Sequence, residues 1–143
     1  MVAGGTDAPI TPGVYKAWEA MRVLAPCGDD PAAACRPFSL DRQGLVLGEG
    51  AGIVVLEERD RALRRGAVVH AELAGYGATA DAGHMTAPGV DAPVRAILQA
   101  LDQAGLSPDQ VEYVNAHGTA TRLNDATETT ILKRAFGRHA ASL

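Results

Sequence analysis

An unbroken apolar run, Ile53-Val54-Val55-Leu56, occupies the middle of the segment 52–58 and sets narrow conditions on the fold. A run of this kind predicts a strand that is covered on both faces, as in a sheet that lies between helices. Three further segments are typical of strands: residues 1–7, which resemble the end of a buried strand, and residues 68–77 and 111–115. The run therefore favours a layered architecture.

Four segments with helical spacing of apolar residues alternate with these strands: residues 12–25, 59–65, 92–104 and 125–136. Gly66 and Gly105 follow the second and third at the position where helices often end, and Asp91 is expected to cap the third. Alternating strands and helices predict the α/β class. The chain has only three or four predicted strands, and it has too few helices to cover both faces of such a sheet. We therefore expect the chain to be a piece of a larger fold.

The composition is that of an ordinary globular protein, and it excludes several functions. The chain has 143 residues, 47% of them hydrophobic, and a formal net charge of −4. Mild acidity without a basic patch argues against binding to nucleic acid or to an anionic membrane surface. The apolar runs are too short to span a bilayer, and the first residues do not resemble a signal peptide. The expected location is the cytoplasm.

Metal, nucleotide and thiol chemistry find little support in the sequence. Cys27, Cys35 and the four histidines do not show the spacing of a metal site. The segment 48–52, Gly-Glu-Gly-Ala-Gly, resembles a phosphate-binding loop but precedes a strand, whereas such loops follow one. Acidic neighbours disfavour a thiolate at either cysteine, so we do not expect a nucleophile in this chain. We do not expect a cofactor either.

The segment 114–121, Val-Asn-Ala-His-Gly-Thr-Ala-Thr, is the strongest candidate for a site. It delivers His117 at the end of a strand, where open α/β sheets place ligand groups. The imidazole could donate a hydrogen bond to an oxyanion or exchange a proton, or it could be a buried polar group with a structural role. Gly118 would let a substrate approach the backbone, and Thr119 and Thr121 offer hydroxyls to it.

Glu128 follows His117 by eleven positions, in the first turn of the helix predicted from Asp125. Asn124 or Asp125 is the expected N-cap, since carboxylates are favoured at the start of a helix. Asp125 and Glu128 could form a charged capping pair. Alternatively, Glu128 could point into the pocket of His117, and the spacing permits both. His84, in a loop, could line an entrance or be held by local hydrogen bonds.

Four ordered segments resemble the β-ketoacyl-acyl-carrier-protein synthases, the condensing enzymes of fatty-acid and polyketide assembly. They are residues 3–12; residues 35–38 with 41–52; residues 81–88; and residues 115–121 with Asn124, Asp125 and Glu128. The resemblance implies a partial thiolase-like fold of the α/β class. It places residues 1–66 in the end of the first half of that fold and residues 67–143 in the beginning of the second.

The resemblance also implies an acyltransferase that joins an acyl group to decarboxylated malonyl-carrier. His117 would hydrogen-bond the malonyl thioester oxygen, help that is worth roughly 3–4 kcal/mol per donor. Thr119 and Thr121 would contact the phosphopantetheine arm of an acyl carrier protein, and Glu128 would hold the site together. Substrates would arrive on that carrier without a further cofactor, and the full-length protein would be a homodimer.

The chain departs from the family pattern in several places. The family nucleophile falls before Met1, and a second histidine and a lysine fall beyond Leu143, so the isolated chain is not expected to catalyse condensation. Arg122 stands where the family commonly has proline, and Leu45 where it often has phenylalanine. Two alternatives remain: a non-catalytic partner subunit of the chain-length-factor type, against which His117 argues, and a thiolase relative.

Overall fold

The computed structural model describes residues 1–84 and 87–143, and it divides the chain into two compact units. One consists of residues 1–22 and 47–73, and the other of residues 23–46 and 74–143. Each unit is therefore assembled from two separate stretches of the chain.

The first unit contains a two-stranded antiparallel sheet and two helices. Strand β1 (Val2–Asp7) pairs with β2 (Gly50–Val55) in a register that joins Val2 to Val55 and Asp7 to Gly50. Helix α1 (Pro12–Ala20) follows β1, and α2 (Arg59–Arg64) follows β2. The apolar run therefore forms the predicted strand.

The expected coverage of this sheet on both faces is not found. Ile53 is 63% exposed and Val55 is 76% exposed, and all of β2 lies at the surface. Among the described residues, β1 is the only element that packs extensively against β2. The prediction of coverage is wrong for this structure, because the sequence pattern reports a preference for burial and not the presence of a covering layer.

The second unit is built around two helices. Helix α3 (Asp91–Ala104) packs against α4 (Arg122–Phe136), and short 3₁₀ turns lie at Pro31–Ala33, Pro108–Gln110 and Gly137–Ala141. Their buried apolar residues form a small core: Ala92, Val94, Ala120, Ile131, Ala135 and Phe136. This core fixes α4, which carries Glu128 in its second turn and directly follows the turn with the other candidate site residues.

The segments 68–77 and 111–115 are not strands in the structure, which corrects the prediction. A strand needs a hydrogen-bonded neighbour, and the only sheet among the described residues is the pair β1–β2. Residues 75–77 lie instead against α3: a Cβ on Gly77 would collide with the carbonyl oxygen of Ala96. The backbone N–H of Tyr76 donates to the side chain of Gln103 at 2.9 Å.

Several helix ends differ from the expected ones. Asp91 is the first residue of α3 and not its cap, and Val90 at the cap position makes no side-chain cap bond. Helix α4 begins at Arg122 and is capped by Thr121, not by Asn124 or Asp125. Helix α1 ends at Ala20, five residues before the predicted end. The glycines expected after α2 and α3 both have the left-handed conformation, with φ of 73° at Gly66 and 65° at Gly105.

Candidate active site

The turn that precedes α4 has an unusual backbone. Gly118 and Ala120 both have positive φ angles, 49° and 61°, and the side chain of Ala120 is fully buried. Thr121 is extended, and its Oγ1 accepts a hydrogen bond from the backbone N–H of Asn124 at 3.3 Å. Left-handed conformations are costly for residues other than glycine, so the packing around Ala120 must hold this turn in place.

Glu128 binds the backbone of this turn directly. Its two carboxylate oxygens accept hydrogen bonds from the N–H groups of His117 at 2.7 Å and of Gly118 at 2.9 Å. The Nδ2 of Asn124 donates to the same carboxylate at 3.2 Å. Of the two possibilities left open by the spacing, the structure places Glu128 at His117. The carboxylate does not form a capping pair with Asp125.

The two threonine hydroxyls lie together. Thr119 Oγ1 and Thr121 Oγ1 are 2.9 Å apart, and both residues are half-buried. His117 lies two residues away and is exposed, so its imidazole is accessible to a substrate. The structure thus gathers all four predicted site residues on one turn and the first two turns of α4. Their chemical roles stay predictions.

Asp125 is the residue whose position sequence reasoning missed. It is 1% exposed, and its Oδ2 accepts a hydrogen bond from the backbone N–H of Phe38 at 2.7 Å. The same oxygen lies 3.4 Å from Nε of Arg42, a cation that is itself largely buried. The sequence marked Asp125 only as a residue of the fourth matching segment and as a candidate cap, and its buried ion pair has no local signature.

Arg42 ties the loop 36–44 to the start of α4. Its guanidinium donates to the carbonyl oxygens of Thr121 at 3.1 Å and Arg122 at 2.8 Å, and to that of Ser39 at 2.9 Å. Its charge is thus shared between the Asp125 carboxylate and three carbonyl groups. In the same loop, the Ser39 hydroxyl and then the Arg36 guanidinium lower the pKa of the Asp41 carboxyl below its usual range.

The space beside Gly118 is filled by protein. A Cβ on this residue would lie 3.2 Å from Cε2 of Phe38 and 3.3 Å from Cβ of Pro37. The absent side chain therefore makes room for the loop 36–44, which is distant in the sequence. That a substrate approaches the backbone of Gly118 from another direction stays a prediction.

The third matching segment, residues 81–88, lies only in part among the described residues. Met85 and Thr86 lie outside the described residues, while Asp81 accepts a hydrogen bond from the N–H of Gly89 at 2.5 Å. His84 forms a backbone bridge with Ala87, and a role at an entrance stays a prediction.

Within residues 1–84 and 87–143, no group of three His, Cys, Asp or Glu side chains could hold a metal ion. In the same ranges, no helix has the length and hydropathy needed to cross a membrane.

Comparison with known proteins shows which family the chain resembles over its two parts. The model of the β-ketoacyl synthase N-terminal domain matches residues 1–62, and that of the C-terminal domain matches residues 70–143. The chain belongs to the β-ketoacyl synthase family. All four candidate residues lie in the part that matches the C-terminal domain of the family.

Similar proteins include curated relatives and solved structures. Nodulation protein E of Rhizobium meliloti is 54% identical over 143 residues, which is 100% of this chain and 34% of that protein. The 3-oxoacyl-[acyl-carrier-protein] synthase 2 of Synechocystis sp. is 50% identical over 145 residues, 100% of this chain and 35% of that protein. A chain of a solved complex, described as a type II polyketide synthase acyl-carrier protein in complex with its ketosynthase bound to the hexaketide, matches with a TM-score of 0.92. It is 41% identical and covers 98% of this chain and 35% of that chain.

The chain therefore spans about a third of the length of the curated relatives it matches. The structural similarity confirms the predicted fold class, part of a thiolase-like α/β fold. The predicted division into halves at residues 1–66 and 67–143 stays a prediction.

Proposed function

We propose that this chain carries the His117 site of a β-ketoacyl-acyl-carrier-protein synthase, an acyltransferase that condenses an acyl thioester with malonyl-carrier. The observation that carries the proposal is the Glu128 carboxylate, which binds the N–H groups of both His117 and Gly118. Such a bond pair fixes the backbone from which the imidazole projects, and preorganised donors are what oxyanion stabilisation requires.

In the proposed reaction, the malonyl thioester loses carbon dioxide, and the electron pair of the broken C–C bond becomes an enolate. His117 donates a hydrogen bond to the thioester oxygen, where the negative charge develops. The carbanion then attacks the carbonyl carbon of the acyl group held on a cysteine, a new C–C bond forms, and the cysteine thiolate leaves. The resemblance places that cysteine and a second histidine outside residues 1–143, so the proposal concerns a polypeptide that contains this chain.

Thr119 and Thr121 are the proposed contacts for the phosphopantetheine arm. Their hydroxyls lie 2.9 Å apart, and the two residues follow His117 by two and four positions. There they could bind the amide groups of an arm that presents its thioester to the imidazole. An acyl carrier protein is the proposed partner, supported by a similar ketosynthase that was solved in complex with its carrier. We also propose a cytoplasmic homodimer that takes substrates from this carrier without a further cofactor.

The proposal is tested on the native polypeptide that carries this sequence, purified from its source and identified by intact mass. His117→Ala should abolish condensation with malonyl-carrier and leave acyl transfer to the enzyme cysteine intact. His70→Ala is the matched control, since His70 is exposed and lies in the other compact unit. Condensation at the unmodified rate by His117→Ala would contradict the proposal. So would a native polypeptide that forms no β-ketoacyl product with any acyl-carrier substrate.

A further inference from the structure

Phe38 has a backbone conformation that a bulky residue rarely adopts. Its φ is 62°, in the left-handed region, although its side chain carries a Cβ and an aromatic ring. The N–H of Phe38 donates to the Asp125 carboxylate at 2.7 Å, and this bond is half-buried. A strained conformation persists only where the surroundings fix it, and here the fixing group is a buried carboxylate of α4.

The ring of Phe38 lies against the turn that carries His117. Its Cε2 atom would be 3.2 Å from a Cβ on Gly118, a distance that leaves little room between the ring and the glycine. Gly118 and His117 are held from another direction by Glu128 through their N–H groups. Hydrogen bonds to its N–H groups thus hold the turn on one side. The ring of Phe38 holds it in the direction in which a Cβ on Gly118 would project.

The loop that carries Phe38 is itself fixed at α4. Arg42 joins this loop to the carbonyl groups of Thr121 and Arg122, and its Nε lies 3.4 Å from Asp125. A shift of the loop would therefore break the Phe38–Asp125 hydrogen bond and the arginine contacts together. The strained backbone of Phe38 and the contacts that fix its loop to α4 both indicate that the position of this residue is functionally important.

We propose that Phe38 is a positioning residue for His117: its ring, held in place by Asp125, fixes the Gly118 turn and thereby the direction of the imidazole. This inference rests on the proposed function. It adds a residue from the loop 36–44 to a site that otherwise consists of one turn and α4. Phe38 acts through Gly118 and is not assigned any contact with the substrate.

Phe38→Gly is the decisive variant, because glycine adopts the left-handed conformation freely and only the ring is lost. We expect kcat for condensation to fall about tenfold to a hundredfold, since small misplacements of a catalytic group have effects of this size. KM for malonyl-carrier and the rate of acyl transfer should be unchanged, and Phe38→Tyr, which keeps the ring, should restore kcat. Leu40→Ala is the matched control, since Leu40 lies in the same loop and is 102% exposed.

Hydrogen exchange of the His117 and Gly118 amides supplies a readout that does not depend on activity. Both amides bind Glu128, and Phe38→Gly should make their exchange faster while Leu40→Ala leaves it unchanged. If Phe38→Gly changes neither the exchange of these amides nor condensation, the proposal is overturned. If exchange becomes faster but kcat is unchanged, Phe38 has only a structural role, and the proposal is overturned as well. If the unsubstituted polypeptide forms no β-ketoacyl product, the proposed function fails. In that case, unchanged exchange of the His117 and Gly118 amides in Phe38→Gly would still show that the ring does not fix the turn, and would refute this inference separately.

A double-substitution cycle adds an independent check on the contact itself. Gly118→Ala alone places a methyl group against the ring and should lower kcat. When Phe38→Gly is also present, the contact of that methyl group with the ring is gone, while its contact with Cβ of Pro37 and the cost of the left-handed φ remain. The loss from the pair should therefore be smaller than the product of the two single losses. Losses that simply multiply would show that the ring and the glycine act independently, and would refute the proposal.

Discussion

Glu128 binds three donors at once, two backbone N–H groups and the Asn124 amide. In Glu128→Gln, an NH₂ group replaces one of the oxygens that accept from His117 and Gly118, so one N–H group loses its partner. Hydrogen bonds to a charged group contribute about 1.5–3 kcal/mol, and condensation should therefore fall about tenfold to a hundredfold. Steady-state assays of condensation and of acyl transfer check this, with transfer expected to survive.

Glu112→Gln supplies the matched control for this substitution. Glu112 is exposed and has no ion pair in the described part of the chain, so the same chemical change there should leave both rates unaltered. Equal losses of condensation in the two variants would show that the effect is general and would remove Glu128 from the site.

Asp125 and Asp91 form ion pairs with arginine in opposite surroundings. Asp125 is 1% exposed beside Arg42, whereas the Asp91 side chain is 73% exposed and lies 2.7 Å from Arg134. Asp125→Asn leaves the Arg42 charge without its anionic partner in a largely buried place and should cost about 3 kcal/mol of unfolding free energy. Asp91→Asn should cost at most about 1 kcal/mol, because water screens an exposed pair. Urea unfolding of both variants of the native polypeptide tests the difference, and equal costs would contradict it.

At this scale the sequence predicted which residues belong together but not what each one touches. His117, Thr119, Thr121 and Glu128 lie within twelve positions, so local spacing was enough to group them. The bond between Asp125 and Phe38 joins residues 87 positions apart, and no local pattern encodes such a contact. The same applies to Gly118, whose missing side chain is explained by a loop about eighty positions upstream.

The two adjacent glycines of β1 differ in their surroundings. A Cβ on Gly4 would collide with the carbonyl oxygen of Gly52 and with the side chain of Ile53, while a Cβ on Gly5 would meet nothing within 4 Å. Gly4→Ala should therefore separate β1 from β2, with a lower midpoint of thermal unfolding and faster exchange of the β2 amides. Gly5→Ala should be tolerated, since alanine suits a strand slightly better than glycine. A larger loss from Gly5→Ala than from Gly4→Ala would contradict the pairing.

Arg65, which follows helix α2, forms an ion pair that depends on pH with Glu57, two residues after β2. Arg65 Nη2 lies 2.6 Å from Glu57 Oε2, and the hydrogen bond from Arg65 lowers the pKa of the Glu57 carboxyl. A carboxyl whose pKa is lower in the folded state stabilises it above the unfolded pKa of about 4.3. This stabilisation is lost as the pH falls through the lower, folded pKa.

The stability difference between the unsubstituted protein and Glu57→Gln should therefore be present at neutral pH and vanish in acid. Unfolding midpoints measured from pH 7 down to about pH 3 check this, over the range in which glutamates titrate. A difference that persists unchanged in acid would show that the charge of Glu57 is not its cause.

The helices could be predicted because their signals are local. Apolar spacing and the glycines after α2 and α3 depend on residues within a few turns, and these elements occur close to their expected bounds. Residues 68–77 and 111–115 have the composition of strands, but a strand forms only where a partner offers hydrogen bonds. Composition does not report that partner, and so these two predictions failed while β2 succeeded.

Among the described residues, many large apolar side chains lie at the surface, several of them on the sheet and in the segment that follows α2. Val55 is 76% exposed, Leu73 is 75% exposed and Val68 is 79% exposed. Where exposed apolar side chains adjoin one another, they mark surfaces that another surface covers. The relatives are about three times as long as this chain, and their additional length offers such a cover.

The 143-residue polypeptide, produced alone, should therefore bind a hydrophobic dye and associate. In the native polypeptide, Val55, Val68 and Leu73 should neither bind the dye nor mediate association. Val55→Lys places a charge on the exposed strand and should reduce association in sedimentation velocity, because burying an unpaired ammonium between copies is costly. Leu40→Lys makes the same change in an exposed loop outside the sheet and should leave association unchanged. A monomer that unfolds in a sharp cooperative transition and binds no dye would contradict this expectation, because its two small units would then be stable without any further cover.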